Sequence, residues 1–372
     1  MSFREALPPT GGFFNGCPLY DRTMPAYFTS GWFGNSEPAW HGEGIVTPGT
    51  LPAREAFEKA DALFQVEKRE LVYPDTPNES GIGSGGITGY QPSGQYAIVR
   101  CDNNQFLGAV TKRYEVVQNE ALLRMAEFLR EEVDLDTVVV LQNGSKLAFT
   151  ATIKGAQKEV IPGDTVKRRI VGFLGHDGIT GVGAMFTNVR VVCSNTLALA
   201  ERTSRNMISL RHTNGVNNEF NKLIQSINVQ REVFEKDIED MRFLANRIVK
   251  PGEFRSYLEI LYKKDLYIPE DLMNGTEAGL KDVTEYSKTK KMILAREDGL
   301  GVNIPGVKGT WWAAVNAVTE VETSTKQKRT GAQFYKANFG SGLTASKKAM
   351  DLALDFASTS GPYQFMPQSV MS

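Results

Sequence analysis

Four apolar-rich segments of strand length follow one another before Cys193, with only turn residues between the members of each pair. TVVVLQN and KLAFTATI are joined at Asn143-Gly144, and VKRRIVGFLGHDG leads directly into GVGAMFTNVRVVC. Asn-Gly and the glycines around His176-Asp177 are residues that tolerate the backbone of a tight hairpin turn. Connections this short make each pair a hairpin, so the run predicts a four-strand antiparallel meander. Upstream, YAIVRC and FLGAVTKRY surround DNN and predict another hairpin. NEALLRMAEFLREE follows with helical spacing, and Asn119 stands where a capping residue belongs. The expected order is two strands, a helix, four strands and a helix over SNTLALAERT. The fold class is α+β, with a mainly antiparallel sheet core, packed helices, then a long helix and a helical C-terminal region.

The remaining segments set the domain boundaries. Residues 1–50, rich in Gly, Pro and aromatic residues, read as an arm that packs by Trp32, Phe33 and Trp40 and has little regular structure. Residues 51–215 form the α+β core. Within it, LPAREAFEKADALF has helical spacing, FQVEKRELVY alternates like a strand, and Pro74 to Gly94 reads as a long Gly/Pro/Ser loop. Residues 216–250 predict one long amphipathic helix. Ile224, Arg231, Ile238 and Ala245 recur every seven residues, as do Ile227, Phe234, Met241 and Ile248. Lys250-Pro251-Gly252 ends it. Residues 251–358 are helical with turns, and 359–372 form a loose tail.

Composition narrows the function classes. Lys plus Arg number 42 and Asp plus Glu 43, so overall charge advertises neither a nucleic acid nor a membrane partner. Any basic surface must be local. Three widely spaced cysteines argue against a disulfide framework and suit a reducing, cytoplasmic setting. No apolar run is long enough to span a bilayer, and the N-terminus has no secretory pattern. No zinc-type spacing or phosphate-binding loop occurs, so no metal or cofactor is expected. The acidic run Glu235 to Asp240 reads as a solvated helix face, and Trp311-Trp312 as a helix start packed on the core.

Two sets of residues remain as candidate chemistry. Cys193 lies between a strand and the next element. As a nucleophile it would need His176 or His212 as base, and packing is the commoner role. The basic residues are more informative. Lys112 and Arg113 end the first hairpin. Lys167, Arg168 and Arg169 start a strand, with Lys167 and Arg169 on one face and Arg168 on the other. Arg190 interrupts an apolar strand, and Arg202 and Arg205 follow. Brought together by the sheet, these eight would make a stripe suited to a phosphate backbone. A cation in an apolar strand needs either a buried carboxylate or an open groove holding phosphate. Both remain open for Arg190.

AWHGEG, YAIVRCDNNQFLGAVTKRYEVVQNEAL, VRVVCSNTLALA, the following RHT, GTWWAAVNAVTEV and NFGSGL occur in an order that resembles the phage- and plasmid-borne proteins grouped as domain of unknown function nine-three-two. The resemblance runs roughly from Trp40 to Phe356. The element order is also similar to the core of Rad-fifty-two-type single-strand annealing proteins. That likeness implies a bacteriophage DNA-binding protein of recombination or replication. It would form a homo-oligomeric ring or filament and hold single-stranded DNA, without ATP, in a basic groove beside a projecting hairpin. The alternative is a non-enzymatic structural or host-interaction protein, assembling through its long helix and N-terminal arm. Neither reading requires an enzyme.

Overall fold

The computed structural model describes residues 13–14, 17–18, 28–34, 44–75, 89–191, 198–199, 207–226, 231–250, 252–262, 287–323 and 341–359. Two short strands, β1 (Phe13–Phe14) and β2 (Cys17–Pro18), pair with each other. The meander forms as expected: β8 (Val133–Leu141), β9 (Lys146–Ile161), β10 (Asp164–Gly175) and β11 (Val182–Arg190) are antiparallel neighbours. Asn143 and Gly144 take positive φ, 57° and 104°, in the β8–β9 turn. A Cβ on Gly144 would lie 2.8 Å from the Phe64 ring, so the turn needs glycine for both reasons.

Around the meander the sheet grows to eight strands. β3 (Phe28–Gly34) adds antiparallel to β8, and β4 (Ile45–Thr47) adds parallel to β3. The arm thus contributes regular structure where little was expected. Its alternating rings explain why: Trp32 and Phe33 are fully buried and belong to separate apolar clusters. Trp40 lies outside the described residues. At the other edge, β12 (Ala198–Leu199) and β13 (Met207–Leu210) both pair with β11. Ala198 and Leu199 are therefore strand, not part of a helix over SNTLALAERT. Cys193, Ser194, Asn195, Arg202 and Arg205 lie outside the described residues.

The first hairpin builds a separate three-stranded sheet from β5 (Val66–Asp75), β6 (Gly89–Arg100) and β7 (Phe106–Thr111). Helices α1 (Ala53–Lys59) and α2 (Glu120–Phe128) flank it in sequence. The C-terminal region supplies α3 (Val216–Ser226), α4 (Arg231–Ala245), α5 (Glu253–Tyr262), α6 (Ser287–Asp298), α7 (Trp311–Thr323) and α8 (Ser341–Ser358). The single helix expected to Val249 instead ends at Ala245, and Ile248 forms a bridge with Thr310. Residues 227–230 lie outside the described set. Phe234, Ile238, Met241 and Ala245 are nevertheless buried, so the apolar stripe faces the core. None of the described helices is long and apolar enough to cross a membrane.

Among the described residues, the helices pack on one face of the large sheet. Val166, Ile170 and Leu174 of β10 join Val182, Ala184 and Phe186 of β11 in one continuous core with the helices. The alternate residues Val171, Phe173 and Met185 form a second cluster with Phe33. The period-two pleat accounts for this division. It also puts Arg168 and Arg190 on the helix-covered face, because Arg190 pairs with Val166 and Asn188 with Arg168.

Arg190 is held by a buried carboxylate. Its Nε donates to Asp164 Oδ1 at 2.6 Å and its Nη2 to Asp164 Oδ2 at 2.5 Å. Nη1 donates to the Leu300 carbonyl at 2.7 Å, and Nη2 also to that of Gly301 at 3.1 Å. Trp312 Nε1 donates to the same Asp164 Oδ2 at 2.8 Å. Truncating one member of such a set strands the others in an apolar wall. Asp164→Ala is expected to cost about 3–5 kcal/mol, and Asp164→Leu with Arg190→Met to recover most of it. Urea unfolding followed by tryptophan fluorescence checks both outcomes.

Candidate functional site

The three-stranded sheet departs furthest from ordinary packing. Along β6, residues 90–95 are exposed without alternation, whereas 97–100 are buried. β7 reaches only as far as Gln95, which pairs with Thr111, while β5 continues with β6 to the Asp75↔Gly89 pair. Beyond Gln95 the hairpin is therefore a two-stranded ribbon in solvent. This region was expected to be loop from Pro74 to Gly94. Pro74 and Pro92 suggested breaks, but the sheet accommodates both, with a register shift between Glu70 and Val72. Residues 76–88 lie outside the described set.

Large side chains stand out from the ribbon. Val72 is 49% exposed, Tyr73 54% and Tyr90 65%. Tyr90 pairs with Pro74, and Tyr73 with Gln91 on the adjacent register position. Paired residues share a face and successive pairs alternate, so each face of the ribbon carries one tyrosine. At the foot, the Gln95↔Thr111 pairing puts Lys112 and Arg113 where β7 stops, and both are exposed. Lys68 brings a third cation: its Nζ donates to the carbonyls of Lys112 at 3.0 Å and Tyr114 at 2.9 Å. Its charge also lies 5.0 Å from the Tyr96 ring centre. Exposed Arg211 adjoins this end, because Glu115 N–H donates to the His212 carbonyl at 3.0 Å. In the three-stranded part of β5, Arg69 pairs with Glu67.

Three arginines of the expected phosphate stripe are engaged internally. Arg168 is fully buried, 3.5 Å from Asp237 of α4, with Asn188 Oδ1 at 3.4 Å and the Phe186 ring beside it. Asp237 is thus an inward-facing member of an acidic run expected to be solvated. Burial raises its pKa against the opposing pull of Asn188 and Arg168. Arg169, on the opposite face, pairs with Asp136 at 3.1 Å. Arg190 is held by Asp164. These three arginines are corrections to the expected groove: each faces a carboxylate, and Arg168 and Arg190 lie beneath helices. Lys167 is half-buried. Of the eight expected contacts, Lys112 and Arg113 are the exposed pair among the described residues. Lys68, Tyr73, Tyr90 and Arg211 join them. The lack of apolar alternation before Tyr96 was the sequence signal for the ribbon.

A second cluster joins the two sheets. The turn between β10 and β11 runs His176-Asp177-Gly178. Asp177 Oδ1 accepts from the N–H groups of Ile179 at 2.9 Å and Thr180 at 2.6 Å, as a turn residue should. Burial opposes its charge, but these donors and Lys146 hold its pKa below the usual carboxylate range. β7 packs directly on this turn. His176 and His212, buried on either side, face the flanks of the small sheet. His176 Nε2 lies 2.7 Å from Asn119 Oδ1, and Asn119 Nδ2 donates to the Phe64 carbonyl at 3.0 Å. Asn119 therefore starts α2 without capping it through its side chain. His212 stacks on Tyr114 with ring centres 4.6 Å apart. Among the described residues, no group of three or more His, Cys, Asp or Glu side chains is arranged to hold a metal.

The fold defines an α+β protein with a one-sided helical layer and a projecting β-ribbon. Residues 106–339 match the model of the family described as Domain of unknown function (DUF932), and the chain belongs to that family. No curated protein and no solved structure matches it.

The contact between the sheets leaves no space at Gly108. A Cβ there would lie 2.6 Å from the Asp177 backbone. Gly108→Ala is expected to destabilise the protein by about 1–3 kcal/mol through this overpacking, read as a lowered melting temperature by circular dichroism.

Proposed function

We propose that this protein binds single-stranded DNA without ATP, as a homo-oligomer acting in phage-type recombination or replication. The observation that supports the reading best is the two-stranded ribbon, with Tyr73 and Tyr90 exposed along it and Lys68, Lys112 and Arg113 at its foot. Unpaired bases offer faces for the tyrosine rings, and the foot cations offer partners for phosphate. A duplex keeps its base faces stacked and gains less from the rings. In this reading Arg168, Arg169 and Arg190 support the fold and do not touch the strand. The near-neutral total charge is compatible with a short cationic foot, and it argues for modest affinity with a shallow salt slope. No catalytic group is required.

An exposed apolar ribbon also suits a protein partner, and this favours the second reading of a structural or host-interaction protein. Fluorescence anisotropy with a labelled oligothymidylate separates the two. Binding at low salt is expected, stronger than to duplex of equal length. Tyr73→Ala with Tyr90→Ala should weaken it by about 1–3 kcal/mol per lost stacked base. Lys112→Glu with Arg113→Glu should weaken it further and flatten the salt dependence. Absence of binding at low salt by the assembled protein would overturn the DNA reading.

A further inference from the structure

Each buried histidine carries one ring nitrogen whose proton is assigned by its partner. Asn119 must turn its amide nitrogen toward the Phe64 carbonyl, so its Oδ1 faces His176, and His176 Nε2 is the donor. His212 Nδ1 faces the Glu115 carbonyl at 3.2 Å and is likewise the donor. His176 Nδ1 and His212 Nε2 are then bare lone pairs. Both are buried and without a hydrogen-bonding partner among the described residues.

Both histidines belong to the large sheet's connections, His176 to the β10–β11 turn and His212 to the exit from β13. His176 reaches the entry of the small sheet through Asn119, which holds the Phe64 carbonyl two residues before β5, and His212 reaches its exit at Tyr114-Glu115 after β7. We propose that His176 and His212 form an acid-sensitive latch, which holds the ribbon sheet to the large sheet while both rings are neutral and releases it on protonation.

A second proton on either ring would create a cation and an N–H donor lacking an acceptor in a buried wall. The Asp177 charge favours the protonated rings, but burial outweighs it. Asp177 is already engaged by Thr180, Ile179 and Lys146, the last at 3.3 Å. The Glu115 carboxylate accepts from Gly215 N–H and Asn217. Arg100 lies 3.9 Å from the far partner ring, Phe64. Tyr114 carries no charge, as burial and then Asp177 raise its pKa.

Burial, followed by the charge of neighbouring His212, lowers the His176 pKa to about 3, and burial lowers that of His212. Both folded values lie below the unfolded value of about 6.5. The joint is therefore fully stable above that value and weakens as pH falls from there toward the folded values. Each histidine contributes up to about a tenfold loss per pH unit. The latch does not depend on what the ribbon binds.

Hydrogen exchange on the full chain from pH 7.5 to 5, corrected for intrinsic rates, tests the latch. Below about pH 6.5, amides of β5–β7 are expected to lose protection by up to about tenfold per pH unit for each histidine while β8–β11 retain theirs. His176→Asn with His212→Asn should flatten that response, even at lower overall stability. Proton NMR of the wild-type imidazoles gives an independent reading that needs no variant. The His176 ring should not protonate in the folded protein at pH 6, and the His212 ring should titrate below the ordinary imidazole value. Unchanged β5–β7 protection at pH 5, simultaneous loss in both sheets, or ordinary imidazole titration with the fold intact would each overturn the latch.

Discussion

Asp164, the first residue of β10, accepts from Arg190 on β11 and Trp312 on α7, and Arg190 in turn holds the carbonyls of Leu300 and Gly301. One buried carboxylate thereby fixes the meander to the C-terminal helical layer. A buried ion pair is stable only where its remaining hydrogen-bonding positions are filled, and here tryptophan and two carbonyls fill them. The Arg168–Asp237 pair repeats the device between β10 and α4. Two arginines in otherwise apolar strands are therefore orienting elements: they select which helices cover this face and in what position.

Once that face is covered, the proposed DNA binding falls elsewhere. The large sheet's cations are turned inward or matched to carboxylates. The small sheet, in contrast, extends past its third strand into solvent with exposed rings. It meets the large sheet through Gly108 against the Asp177 turn, through two buried histidines, and through Val66, Ile98, Leu107 and Val110 in the shared core. A rigid body bearing an exposed two-stranded end suits the proposed DNA binding, since segments with few buried contacts open most easily.

Much of this was legible in residue order. The hairpins followed from alternation and turn residues, and the buried Trp311-Trp312 start of α7 from ordinary packing preference. The pleat gave the opposing faces of Lys167, Arg168 and Arg169 correctly. What it did not reveal was the cover on each face, because Asp164, Asp136 and Asp237 reach these cations only through tertiary pairing. Asn119 carried a capping signal, yet His176 and the Phe64 carbonyl take its side chain. Ala198 and Leu199 had helical neighbours, yet the open edge of β11 captures them as strand. Pro74 and Pro92 concealed the ribbon, since a bulge and an exposed edge tolerate proline that an inner strand would not. In each case a distant partner outweighed local propensity.

The central claim is that the ribbon and its foot, not the arginines of the large sheet, meet the ligand. Photo-cross-linking of the assembled protein to a halogenated-uracil oligonucleotide, with adducts mapped by mass spectrometry, tests this most directly. Adducts at Tyr73 and Tyr90 are predicted. Adducts confined to β10 and β11, or none on a bound strand within 66–113, would contradict it.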